Sequence, residues 1–130
     1  MKQDQMPDPR EHHVVVLGAS PKPDRYSNQA VRLLSDHGYQ VTPVNPRGGT
    51  IEGLAAAHNL GVVAHPVHTL SLYVGPSRLE PIVDELLKLD PGRVIFNPGS
   101  ESAFVQHKLT EAGTEWLEGC TLVMLKTGTF

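Results

Sequence analysis

The chain has 130 residues, 39% of them hydrophobic, and a formal net charge of −3, which is the size and balance of one soluble globular domain. That balance excludes a general nucleic-acid or membrane-surface binder, so any anion site has to be local. The single cysteine, Cys120, excludes an internal disulfide framework and a thiolate zinc cluster, and it fits a reducing, cytoplasmic setting. No run approaches the ~20 apolar residues of a membrane span. Residues 1–12, within "MKQDQMPDPREHH", are polar and lack an apolar signal core, and read as a tail or a short surface-packed arm ahead of one domain over 13–130.

Val14–Leu17 is a continuous apolar run closed by Gly18, the pattern of a strand buried on both faces. Ala30, Val31, Leu33 and Leu34 fall at helical spacing between Asn28 and Asp36, and Gly38 closes that helix. "YQVTPVNP" reads as a second strand, with Pro43 at its end because a proline is awkward inside a central strand. "IEGLAAAHNL" reads as a short helix, and "VVAHPV" as a connection or brief strand. "TLSLYV" is a third strand. Ser77 then caps a helix over "RLEPIVDELLKL", with Glu80 completing a capping box and Pro81 tolerated in the first turn. "RVIFNPGSE" is a strand and glycine turn, "ESAFVQHKLTEAG" a helix closed by Gly113, and "TLVMLKTG" the last strand. Alternating strands and helices predict an α/β fold: a doubly wound, Rossmann-like, mostly parallel sheet with helices on both faces.

In such a sheet, ligands sit outside the carboxyl ends of the strands. The turns "GASPKP", "VNPRGG", "YVGPS" and "NPGSE" therefore converge on one rim. The first fails the G-x-G-x-x-G test. It keeps Gly18 for a tight turn and adds the Ser20 and Ser27 hydroxyls and the Lys22 and Arg25 charges, a set suited to phosphate at a helix amino terminus. An NAD site requires a carboxylate about 20 residues further on to hold the ribose diol. No Asp or Glu lies between Asp36 and Glu52. Asn45-Pro46-Arg47 stands there instead, and an arginine suits a ribose phosphate, which NADP and coenzyme A both carry.

The stretch "VVVLGASPKPDRYSNQAVRLLSDHGYQVTPVNPR", followed by "LYVGPS", "VIFNPGSE" and "GCTLVMLKTG", closely resembles the small CoA-binding Rossmann proteins, stand-alone relatives of the CoA-binding domain of succinyl-CoA synthetase. The resemblance runs from Val14 onward and is weakest over Arg47–His68. It implies a domain that binds coenzyme A or an acyl-CoA. Gly18, Ala19 and Ser20 would face the pyrophosphate, with Lys22 and Arg25 close by. Asn45, Pro46 and Arg47 would border the adenosine, and Tyr73, Val74 and Pro76 would flank the nucleotide. Asn97, Pro98, Gly99 and Glu101 would wall the pantetheine arm. The synthetase's phosphorylated histidine belongs to a further domain, so its ligase activity is not carried over.

Three functions follow: a binding module that holds CoA without transforming it, a small enzyme acting on a CoA thioester, and an NADP-binding or redox-sensing regulator. A homodimer or a protein partner is compatible with each. Seven histidines include His12-His13 and the pair His65 and His68, but no HExxH motif occurs and no metal site is expected. Glu101 reads as an acidic first-turn residue of a helix rather than a general base. Cys120 reads as a buried small hydrophobe rather than a nucleophile. Trp116 and Leu117 read as packing at a helix-to-strand junction or as part of a dimer surface.

Overall fold

A computed structural model describes residues 8–130 of the chain. Of the expected amino-terminal arm, residues 1–7 lie outside the described residues. The remainder is a packed arm: Pro9–Glu11 form a 3-10 turn capped by the Asp8 carboxylate, which accepts from Arg10 N, and the Gln40 side chain donates to Arg10 O.

The elements run β1 (His13–Leu17), α1 (Tyr26–Asp36), β2 (Gln40–Val44), β3 (Thr50–Ile51), β4 (Leu54–Ala55), β5 (Thr69–Leu72), α2 (Pro76–Leu79), α3 (Val83–Leu89), β6 (Arg93–Phe96), α4 (Ala103–Glu111), β7 (Glu115–Glu118) and α5 (Thr121–Thr127). Five strands form one sheet in the order β2-β1-β5-β6-β7, every neighbour parallel. The doubly wound α/β reading therefore holds. Strand β1 shows why its sequence is apolar throughout. Val14 and Val16 point into the core shared with Val31, Leu34 and Leu125 of α1 and α5. Val15 and Leu17 point into the opposite core, with Leu79, Leu86, Val105 and Leu109. Each face of a period-two strand needs its own cover.

Several expectations are corrected. Pro43 lies within β2 opposite Val16, not at its end. β2 is an edge strand, and the Pro43 carbonyl faces outward to accept from Ala57 N, so the missing N–H costs no bond within the sheet. "IEGLAAAHNL" holds a hairpin rather than a helix, because Glu52 and Gly53 both take positive φ (50° and 79°), the requirement of a two-residue turn between antiparallel strands. Ser77 is not a helix cap. Gly75 is the N-cap of α2 with Pro76 in the first turn, and Pro81 ends the helical run in a 3-10 turn, Glu80–Ile82, before α3 begins. Glu80 instead accepts from the Ser102 hydroxyl, and Ser102 is the N-cap of α4. "TLVMLKTG" is helix α5, with Thr121, Leu122 and Leu125 buried and Gly128 closing it in the left-handed region. The last strand is the short edge β7 just before it. Trp116 on β7, half-buried, packs edge-on to Phe96 at 5.9 Å and donates to Thr110, so it packs against the edge of the core.

The amino ends of the strands carry a buried histidine cluster. His12 is 2% exposed and bonds Thr69 Oγ1 through Nε2 at 2.8 Å. His13 reaches Thr42 and the Pro66 carbonyl, and its N–H donates to His68 Nδ1. Burial first, then the charge of Arg93 and the neighbouring His68 and His13, pushes the His12 pKa down to about 4. The unfolded chain, near 6.5, binds the extra proton first, so stability is full above pH ~6.5 and falls as pH drops towards 4. At pH 5 about 2 kcal/mol of this contribution is gone. Chemical denaturation at pH 7 and pH 5 checks this: His12→Gln should lose most of the difference, and an unchanged pH dependence in that variant would refute the assignment.

Candidate functional site

The strand order reverses between β1 and β5, and the loops beyond their carboxyl ends open the crevice expected at such a point. Gly18 makes the close approach possible. Its φ is 87°, and a Cβ there would lie 2.8 Å from the Tyr73 carbonyl oxygen and 2.8 Å from Val74 Cγ1. The following loop is held from three sides. Gly18 N and Ala19 N both donate to the Val44 carbonyl, Asn45 Nδ2 donates to Ala19 O, and Asn28 Nδ2 donates to Ser20 O and to Glu52 on the hairpin. Residues 19–25 separate Gly18 from α1, whose N-cap Arg25 makes no side-chain cap bond. The helix therefore starts well after the glycine, and the loop's basic side chains supply the local charge.

Two adjoining cavities result. The first, about 360 Å³, has Leu17, Val44, Leu60, Val74 and Ile82 as apolar walls, Gly18–Ser20, Asn45, Pro46 and Tyr73 along one side, and His58, Asn59, Arg78 and Glu85 at its polar edge. The second, about 630 Å³, shares Ser20, Asn45 and Arg78 with it and adds Lys22, Arg25, Arg47 and the hairpin residues Thr50 and Ile51. Four cationic side chains thus face one cavity whose lining contains no carboxylate among the described residues, and among those residues none of the four is in an ion pair. All four are exposed, and a wall of one sign of charge favours an anion.

A third cleft of about 490 Å³ is lined by Tyr73 together with Tyr26, Asn97, Pro98, Cys120, Leu122 and Val123 among others. Tyr73 walls both this cleft and the first cavity. Burial, the largest influence, pushes its phenol up to about 12, against the pull of the nearby Thr121 and Ser71 hydroxyls. Those two bond each other at 2.8 Å, and among the described residues the Tyr73 hydroxyl completes no hydrogen bond of its own.

The structure places most of the sequence-derived residues in the linings of these three cavities: Gly18, Ala19, Ser20, Asn45, Pro46, Tyr73 and Val74 in the first, Lys22, Arg25 and Arg47 in the second, Asn97 and Pro98 in the third. Ser27, Pro76, Gly99 and Glu101 line none of the three. Ser27 is buried in the first turn of α1. Glu101 precedes the N-cap of α4 rather than standing in its first turn, and its carboxylate accepts from Gly99 N at 2.9 Å. Asn97 is engaged within the protein: Nδ2 donates to Ser71 Oγ and Leu72 O, and Oδ1 accepts from Thr121 N at the start of α5. Sequence reasoning missed Arg78, His58, Asn59 and Leu60. The signal for Arg78 was available in "GPSR", a basic residue one turn into a helix that begins at the rim. The others sit in the segment misread as a helix.

Among the described residues no group of three His, Cys, Asp or Glu side chains is placed to hold a metal ion, and no helix is long and apolar enough to cross a membrane. The fold and its carboxyl-end cavities define a Rossmann-like domain with a cation-lined crevice at the switch point. The family model described as "CoA binding domain" matches residues 12–126, and the chain belongs to that family. It is similar to the structure of cell-free ID.343 from Thermus thermophilus, with 32% identity and a TM-score of 0.85 over 92% of this chain and 90% of that one. It is 28% identical to YneT of Bacillus subtilis over 81 residues, which are 62% of this chain and 60% of YneT, under two-thirds of that relative's length. The dinucleotide-forming acetyl-coenzyme A synthetase 1 of Ca. Korarchaeum cryptofilum shares the fold, at 18% identity and a TM-score of 0.71, over 84% of this chain and 26% of that one.

Proposed function

We propose that the chain binds coenzyme A or an acyl-CoA as a binding module without transforming it. The observation that carries this reading is the cavity lined by Lys22, Arg25, Arg47 and Arg78 with no carboxylate in its described wall. Coenzyme A carries a pyrophosphate and a 3′-phosphate on one nucleotide, and four cations without counter-ions suit that charge. The adjoining apolar cavity suits the adenine. The residues fit the group: the Gly18 turn leaves backbone close to the pocket, Arg47 takes the 3′-phosphate and Lys22 and Arg25 the pyrophosphate. The arm then crosses Tyr73 towards the wall at Asn97 and Pro98. Binding without turnover is in keeping with Glu101, which lines none of the three cavities and accepts from Gly99 N.

Thermal melting with CoA, dephospho-CoA, NAD and NADP tests the reading. A ligand at a hundred times its Kd stabilises the native state by about 2.7 kcal/mol, a rise of roughly 10 °C for a domain of this size. CoA should raise the melt most and dephospho-CoA distinctly less. Arg47→Ala should weaken CoA about tenfold more than dephospho-CoA, the effect of removing one charge-assisted bond. A shift with NADP alone would overturn the CoA assignment, and equal losses for both ligands would remove Arg47 from the 3′-phosphate.

A further inference from the structure

We infer that the cleft beyond Tyr73 is an acyl pocket, and that the ligand preferred over free CoA is a thioester of a short-to-medium unbranched apolar acid. This rests on the CoA reading and adds the chemistry of the group at the thiol end. Two observations point to it. The cleft adjoins the first cavity at Tyr73, which walls both, so an arm that crosses that ring reaches it. Its surface is also unlike that of the cation-lined cavity. Pro98, Leu122, Val123 and the Tyr26 ring form its sides, and Tyr26 and Val123 are 72% and 55% exposed, two of the four exposed large hydrophobics among the described residues. An apolar surface left open beside a ligand crevice gains from being covered by the ligand. Free CoA ends in a thiol and covers little of a 490 Å³ cleft, whereas an alkyl chain covers more with each methylene. Of the polar groups in its lining, Asn97 is engaged within the protein and the one cation, Lys126, is exposed, so the cleft offers no buried charge to recognise a terminal carboxylate.

Titration calorimetry on the full chain with CoA, acetyl-, butyryl-, hexanoyl- and succinyl-CoA tests this. Complete burial of a methylene is about a fourfold gain in affinity. A cleft open on one side should give about twofold per methylene, so hexanoyl-CoA, with four more than acetyl-CoA, is expected to bind roughly fifteenfold tighter. Val123→Glu should erase that gradient, and Tyr26→Ala should reduce it in the same direction. Both positions are exposed, so neither change disturbs the core. Equal affinities for all thioesters, or succinyl-CoA tighter than hexanoyl-CoA, would overturn the acyl pocket while leaving the CoA reading standing. Failure of every CoA species to bind would overturn both. If Val123→Glu instead converts a dimer to a monomer in sedimentation with the gradient intact, the apolar surface serves a second copy of the chain and the inference fails.

Discussion

Replacing Gly18 by alanine is expected to cost about 2–5 kcal/mol of stability and to abolish ligand binding. Two penalties combine. The left-handed conformation at φ 87° disfavours any Cβ by about 1–2 kcal/mol. The new methyl group also lands 2.8 Å from the Tyr73 carbonyl oxygen and 3.0 Å from its carbon, backbone atoms fixed within the β1–β5 region of the sheet, and relieving such overpacking costs roughly another 1–3 kcal/mol. The second penalty is what ties the position to the site. β1 and the residues following β5 separate only by moving the crevice walls, so binding fails together with packing. Gly113→Ala isolates the first penalty, because Gly113 has φ 78° and a Cβ there would meet nothing within 4 Å. Urea denaturation should show Gly18→Ala losing distinctly more than Gly113→Ala. Equal losses would mean that the close approach at Tyr73 contributes nothing.

The parts of the fold that were legible in the sequence are those where one physical requirement dominates. Val14–Leu17 must be apolar at every position because both faces of β1 are covered, and Ala30, Val31 and Leu34 must share one side of α1. The carboxyl-end turns were legible for the same reason: Gly18, Asn45 and Asn97 each stand where a buried strand has to stop and change direction. What was not legible depended on partners far away in sequence. Thr121–Thr127 is a four-residue apolar run flanked by polar residues, equally good for a buried strand or a helix. It is helical because Asn97 caps Thr121 N from another strand and because Glu115–Glu118, with charge at both ends, already fills the sheet edge. The hairpin at Glu52-Gly53 carries no Asn-Gly or Asp-Gly signal, and Glu52 is tied down by Asn28 in α1. Losing that segment to a helix hid the wall formed by His58–Leu60. Three of the site's four basic residues were legible because they lie in turns that follow strands, whereas Arg78 and the wall at Leu60 and Ile82 depend on tertiary register.

Asn97→Ala is expected to be at least as damaging as Gly18→Ala, by about 3–5 kcal/mol, although Asn97 reads in sequence as a ligand-facing residue. Its side chain is 1% exposed and satisfies three groups at once: Ser71 Oγ at 2.9 Å, Leu72 O at 2.9 Å and Thr121 N at 2.8 Å. Leaving such buried groups unpaired costs roughly 1–3 kcal/mol each. The Ser71 hydroxyl keeps its bond to Thr121 Oγ1, so Leu72 O and Thr121 N bear most of the loss. Ser102→Ala, which removes an ordinary N-cap from α4, should cost about 1 kcal/mol and serves as the reference. Hydrogen exchange separates the local consequence from the global one. α5 has seven residues and no side-chain cap from its own N-cap, Cys120, so without Asn97 its amides should exchange faster than those of α4. Because α5 carries Leu122 and Val123 into the cleft beyond Tyr73, the same change should blunt discrimination among acyl chains before it affects the loop at Ser20. A variant within about 1 kcal/mol of the parent, with unaltered protection over Thr121–Thr127, would show that Asn97 does not hold that helix.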